Sequence, residues 1–214
     1  MIRKGTIEDA EILSKVEATC FPPNEAATSK EIQERLNVYA NHFLLLFEKN
    51  QLISFIDGFC TNQRDLMDEM YSDASMHDEN GDWQMIFGLN TLPDYQKNGY
   101  AAKIMNVMIN MARQENRKGL VLTCKDRLVP YYSKFGFKNE GVSSSVHGGV
   151  VWYQMRLEFY MKIIQKVKKY QKKKAKKAAK EELKQMIPTL RGQLNEMTSG
   201  LDELNGLLKK ITRS

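Results

Sequence analysis

The stretch Leu89 to Ala102 reads LNTLPDYQKNGYAA: an apolar strand that passes through the turn Gln96-Lys97-Asn98-Gly99 into a helix opening at Tyr100, Ala101 and Ala102. Gly99 lets the backbone approach a ligand with no Cβ in the way. The first N–H groups of the following helix lack partners within it, and the helix dipole adds positive charge at the same end. That combination suits an anion such as a phosphate or pyrophosphate. An ordinary strand-to-helix turn shares the pattern, so the turn alone leaves both readings open.

Two more stretches narrow the choice. Gly119-Leu120-Val121-Leu122-Thr123-Cys124 is a short apolar strand followed by LVPYYSKFGF, Leu128 to Phe137. Gly141 to Leu157 reads GVSSSVHGGVVWYQMRL. In this order the three segments resemble the GNAT superfamily of acyl-CoA-dependent N-acyltransferases. Its signature, [Q/R]-x-x-G-x-[G/A], is met by Gln96, Gly99 and Ala101. Within the superfamily the Thr-Cys and LVPYYSKFGF segments look most like small bacterial proteins related to arylalkylamine (serotonin) N-acetyltransferase. The resemblance covers residues 2 to about 159.

It implies an α/β (α+β) fold, a mixed, twisted central sheet with helices on both faces and two splayed parallel strands, here Trp83–Leu89 and Gly119–Cys124. Acetyl-CoA would lie in the gap. Backbone groups of Leu89, Asn90 and Thr91 would meet its pantetheine arm, Lys97, Asn98, Gly99, Tyr100, Ala101 and Ala102 would cradle the pyrophosphate, and Gln96 of the signature would belong to the same cofactor site. An unpaired strand edge can accept a pantetheine amide as it would an added strand. Tyr132 matches the tyrosine that protonates the leaving thiolate. The break at Phe21-Pro22-Pro23 lies where the family forms its acceptor-binding loop, so Phe21 and Pro23 are expected to bind the small-molecule amine.

Acyl transfer to an amine also needs a base, because only the neutral amine attacks. The two strand histidines of the vertebrate enzymes are replaced here by Met85 and Phe87. His147, between Val146 and two glycines, is a substitute by the reference pKa of imidazole, near ~6.5. His77 and Asp82 are further candidates in the polar stretch 61–82. The residues themselves also allow packing roles for Tyr131, Tyr132 and His147. The three cysteines and three histidines show no metal-ligand spacing, so no metal is expected.

Composition points to a protein of the reducing cytoplasm. A chain of 214 residues with 42% apolar content can bury an ordinary core, and its three cysteines have no paired spacing. No apolar run approaches the ~20 residues of a membrane span, and the N-terminus lacks a signal-peptide core. Charge divides the chain. Residues 160–214 hold 15 Lys or Arg against 5 Asp or Glu, whereas the first 159 hold 17 against 21. A domain at 1–159 is thus expected to carry a basic appendage at 160–214. Within it, 162–180 has ten lysines and no acid, which suits weak polyanion binding or a solvated helix. From Pro188 a new helix is predicted, with Leu190, Leu194, Met197, Leu201, Leu204, Leu208 and Ile211 at alternating spacings of 4 and 3. That is a coiled-coil seam for a partner helix or a homo-oligomer through 188–211. An acyl-CoA-binding regulatory protein tethered by this tail is the alternative to an enzyme.

Overall fold

The computed structural model describes the backbone of residues 1–211 and all of their side chains except 160–166, 168, 210 and 211. It divides into two units, Met1–Tyr160 and Met161–Ser214. In the first, β1 (Ile2–Lys4), β2 (Leu44–Glu48), β3 (Gln51–Asp57) and β6 (Gly88–Thr91) form a four-stranded antiparallel sheet in the order β1-β2-β3-β6. A second, mixed sheet has the order β4-β5-β7-β9-β8, from Cys60–Thr61, Trp83–Ile86, Gly119–Cys124, Tyr153–Glu158 and Lys138–Val142. The β2–β3 hairpin turns through Lys49 and Asn50, with φ of 46° and 66°, the left-handed pair that matches strand twist in a two-residue loop.

Helices cover both faces because apolar side chains alternate along the strands. Leu44, Leu46, Ile53 and Ile56 pack with α4 (Tyr100–Gln114), which buries Ile104, Met105, Met108, Ile109 and Ala112. Leu45, Leu52 and Phe55 pack on the other side with α1 (Ala10–Cys20) and α2 (Ser29–Tyr39). The cap of α2 is Thr28. Its Oγ1 accepts the Glu31 N–H at 3.2 Å while the Glu31 carboxylate takes the Thr28 N–H at 2.7 Å, a capping box at the Thr-x-x-Glu spacing.

The expected strand Trp83–Leu89 is two strands. β5 runs parallel to β7 from Trp83 opposite Gly119 to Ile86 opposite Leu122. At Phe87 the chain changes sheet, and β6 pairs with β3 instead. Phe87 N–H donates to Asp57 O at 2.9 Å while Gly88 also stands opposite Asp57, so two residues face one as in a bulge. A fork opens between β6 and the end of β7. The polar stretch 61–82 is more ordered than its composition suggests. It forms α3 (Glu69–Ser72) and buries Leu66 and Met70 in the core.

The basic run and the heptad segment also form one element, not two: α6 spans Tyr160–Ile211 with Pro188 inside it. Within it residues 169–209 are exposed. Side chains of the first lysines and of Ile211 lie outside the described residues. Among the described residues no helix is long and apolar enough to cross a membrane.

A Cβ built on Gly88 would sit 2.7 Å from Asp57 Oδ1 and 3.0 Å from Asn90 Nδ2, both fixed in the buried fork. Gly88→Ala should therefore lower unfolding free energy by about 1–3 kcal/mol, read from urea melts. An unchanged midpoint would show that the fork has room for a methyl group.

Candidate active site

The fork encloses a cavity of about 140 Å³. Ile86, Phe87 and Leu89 line one branch, and Leu122, Thr123 and Cys124 the other. β6 offers this cavity an open backbone edge. Leu92 N–H donates to Ile53 O at 2.9 Å, so ladder alternation turns Asn90 toward β3 and the backbone groups of Leu89 and Thr91 away from it. Gln96 Nε2 donates to Thr91 O at 3.1 Å, which ties the following turn to that edge.

That turn leads into α4 in an unusual conformation. Lys97 has φ 63° and Gly99 φ 83°, and nothing lies within 4 Å of a Cβ built on Gly99. A second cleft opens there, lined by Thr91, Gln96, Lys97, Gly99, Tyr100, Ala101 and Ala102, with Tyr95 and Tyr131 alongside. Asn98 stays at the exposed tip, its amide donating to Gln96 O.

The two adjacent tyrosines part company. Both stand on α5 (Val129–Ser133), but Tyr131 lines the second cleft and Tyr132 the first. Burial pushes the Tyr132 phenol well above its ordinary pKa, so it keeps its proton at neutral pH. Burial likewise raises the Cys124 thiol to about 11, which leaves it a packing group.

His147 and Phe21 also line the fork cavity, whereas Pro23 is exposed and outside its lining. The His147 ring stacks on Tyr71 at 4.6 Å, and its Nε2–H donates to Glu25 O at 3.2 Å. Tyr71 arrives from the 61–82 stretch and pairs its hydroxyl with Thr123 Oγ1 at 3.0 Å. Asp68 of the same stretch accepts from Ser145 Oγ and from Val146 N–H, which pins the His147 loop.

The residue most suited to proton transfer went unnoticed in the sequence. Glu17, on α1, lines the cavity and is 6% exposed. Its carboxyl is raised to about 7 by burial first and then by Asp57. The Ala27 N–H, Arg35 and the Asn90 amide oppose the rise. Arg35 and Asp57 are themselves a buried ion pair at 3.0 Å, and Arg35 also donates to Tyr71 O at 2.7 Å. The Asn90 amide makes no hydrogen bond of good geometry, although it lies close enough to favour the Glu17 anion. An acid one turn after Leu13 and beside Val16, on an apolar helix face, is the signal that could have exposed Glu17.

His77 and Asp82 do not line the cavity. Asp82 pairs with Lys118 at 2.5 Å. His77 joins His42 and Glu79 in a cluster that spacing alone did not reveal. Glu79 Oε2 lies 3.1 Å from Nε2 of both rings, and His42 Nδ1 lies 2.9 Å from Gln84 Oε1. His77 Nδ1 accepts the Cys60 N–H at 3.2 Å, so its Nε2 carries the proton and has no lone pair for a metal. The cluster therefore works as a hydrogen-bonded clasp on the 61–82 stretch.

Comparison with known proteins agrees with this geometry. Residues 9–159 match the acetyltransferase (GNAT) domain family, and the chain belongs to it. It is 23% identical over 160 residues to serotonin N-acetyltransferase of Mesocricetus auratus, covering 65% of this chain and 76% of that one. Among solved structures it resembles the loading GNATL domain of CurA from Lyngbya majuscula, with TM-score 0.65 and 16% identity over 74% of this chain and 96% of that one. PaiA N-acetyltransferase from Thermoplasma acidophilum, in complex with coenzyme A, gives TM-score 0.55 and 16% identity over 74% and 98%.

A carboxyl whose pKa is raised by folding stabilises the protein fully below its unfolded value, near 4.5, and loses that contribution as pH rises through about 7. Glu17→Gln should therefore unfold later than the parent at pH 8, by up to about 3 kcal/mol, and show no gain at pH 4. A pH-independent difference would mean that Glu17 does not titrate in the fold.

Proposed function

We propose that the protein transfers an acetyl group from acetyl-CoA to the nitrogen of a primary amine, with Glu17 as base and Tyr132 as acid. The observation that carries this reading is the fork cavity itself. It holds a carboxyl with a pKa near neutrality and a phenol that keeps its proton, in one enclosed space bordered by an open strand edge.

Acetyl-CoA, the donor substrate, suits the groups around it. The Leu89 backbone groups, turned away from β3 at the fork, match the amides of a pantetheine arm, and Thr91 continues that edge into the second cleft. The left-handed Gly99 and the free N–H groups of the first turn of α4 suit a pyrophosphate. PaiA, of the same fold, was solved with coenzyme A, which supports a coenzyme A thioester as the donor here.

The amine enters as its ammonium form beside Phe21, Tyr71 and Phe87 and gives one proton to the Glu17 carboxylate. The neutral nitrogen then attacks the thioester carbonyl carbon. A C–N bond forms, the C–S bond breaks, and the leaving sulfur takes the Tyr132 proton. The second proton of the now cationic nitrogen passes through solvent to the Tyr132 phenolate, which leaves a neutral amide and free thiol, and Glu17 releases its proton to solvent. A base with a pKa near the working pH combines correct protonation with useful basicity. His147 shapes the acceptor wall in this scheme. Its Nε2 proton is committed to Glu25 O, so its contribution is positional.

Tyr132→Phe should lower turnover by ~10²–10⁴ while coenzyme A still binds, the span of a lost general acid. Glu17→Gln should lower kcat/KM by ~10²–10⁴ and abolish the limb of the pH profile near 7. His147→Ala should leave that limb in place. A limb that vanishes with His147 instead would transfer the base to the imidazole.

Gly99→Asp should abolish the rise in melting temperature that acetyl-CoA produces in the parent. The carboxylate repels the pyrophosphate, and φ 83° is strained for aspartate. Undiminished acetyl-CoA affinity would remove the turn from the donor site.

A further inference from the structure

We infer that α6 pairs with the α6 of a second copy of this chain as an antiparallel coiled coil over residues 187–211. The helix continues through Pro188, so the apolar seam starts earlier than the sequence suggests, at Leu183 and Ile187. With Leu190, Leu194, Met197, Leu201 and Leu204 it keeps the alternation of 4 and 3 that defines a coiled-coil stripe. These seven side chains are between 43% and 69% exposed. Pro188, Gly192 and Gly206 fall on the outer face of the heptad, and Gly200 on its flank. The helix-weakening residues thus avoid the seam that a partner must cover.

A second copy is the occupant that the charges allow. Residues 187–211 carry Arg191, Lys209 and Lys210 against Glu196, Asp202 and Glu203, so the paired segment is neutral. Leucine-type residues occupy both core positions, so one seam complements another. The orientation follows from the lysines. A parallel pair would align the ten lysines of 162–180 with ten more in register, and like charges at such spacing repel. An antiparallel pair centred on residue 199 sets Leu194 against Leu204 and Met197 against Leu201. The basic arms then leave at opposite ends. On the flanks Thr198 meets its own copy, Gly200 meets its own copy, and Arg191 meets Asn205, so no like charges touch. Thr198 Oγ1 already donates to Leu194 O at 2.8 Å and brings no unpaired hydroxyl to the contact.

The full chain should sediment at twice its 24.7 kDa monomer mass, and Leu194→Lys with Leu201→Lys should return it to monomer. A monomeric parent, or a dimer indifferent to both lysines, overturns the proposal. Orientation is read from Leu194→Cys and Leu204→Cys, annealed together or alone under mild oxidation, with the parent chain as the control for Cys20, Cys60 and Cys124. The mixture should give the disulfide-linked dimer. Either variant alone should not, since in the antiparallel pair each position lies ~15 Å from its own copy. Cross-linking of each variant with itself would mean a parallel pair and would overturn the antiparallel assignment.

Discussion

The change of partner at Phe87 and Gly88 is the constraint on which the active-site region depends. While β5 and β7 stay paired, both strands are fully engaged and leave no space between them. One bulge residue opposite Asp57 transfers the chain to the other sheet. An open edge and a cavity appear together as a result. Gly88 is required there because Asp57 and Asn90 occupy the volume that a side chain would need. A buried carboxylate thus sits at the root of the fork, and it must be paired to be tolerated. Arg35 supplies that pairing from α2, and in doing so it joins the helical face, the fork and, through the Tyr71 carbonyl, the 61–82 stretch.

This ion pair also sets the chemistry of its neighbour. Among the described residues Glu17 has no ion-pair partner of its own. Burial and the charge of Asp57 favour its protonated form, and Arg35 together with the Ala27 N–H restrains the shift. The outcome is an acid that exchanges its proton near neutrality. Tyr132, in the same cavity, is raised by burial and then by Cys124 and Tyr131, so it keeps its proton and remains a donor. Environments that separate two proton-active groups in this manner are the usual basis for assigning acid and base roles.

The second unit obeys different physics. Its helix has an exposed apolar stripe next to a run of lysines, and a single helix cannot bury such a stripe by itself. The neutral segment and the basic arm are adjacent on one continuous helix, and the first can associate without bringing the second arms together.

Much of the site was legible where its chemistry is local. The turn into α4 is contiguous, and its demand for a left-handed residue is written in Gly99. Tyr132 was singled out by the motif around it, and the fold brings it to the lining of the fork cavity. The heptad seam was legible because helical periodicity is a property of the chain alone, although Pro188 suggested a boundary that the helix does not observe. The strand division at Phe87 was hidden, because an apolar run reads the same whether it stays in one sheet or moves to another. Glu17, Arg35 and Asp57 were hidden for a related reason. They are 18 and 22 residues apart in the chain, and a carboxylate or guanidinium on an apolar face acquires its meaning only from what is buried against it. The sequence determined the family, the turn and the helical repeat, each fixed by short-range backbone geometry. The tertiary structure alone decided the raised carboxyl of Glu17 and the Arg35–Asp57 pair beside it, because burial and charge proximity arise only when distant segments share one low-dielectric space.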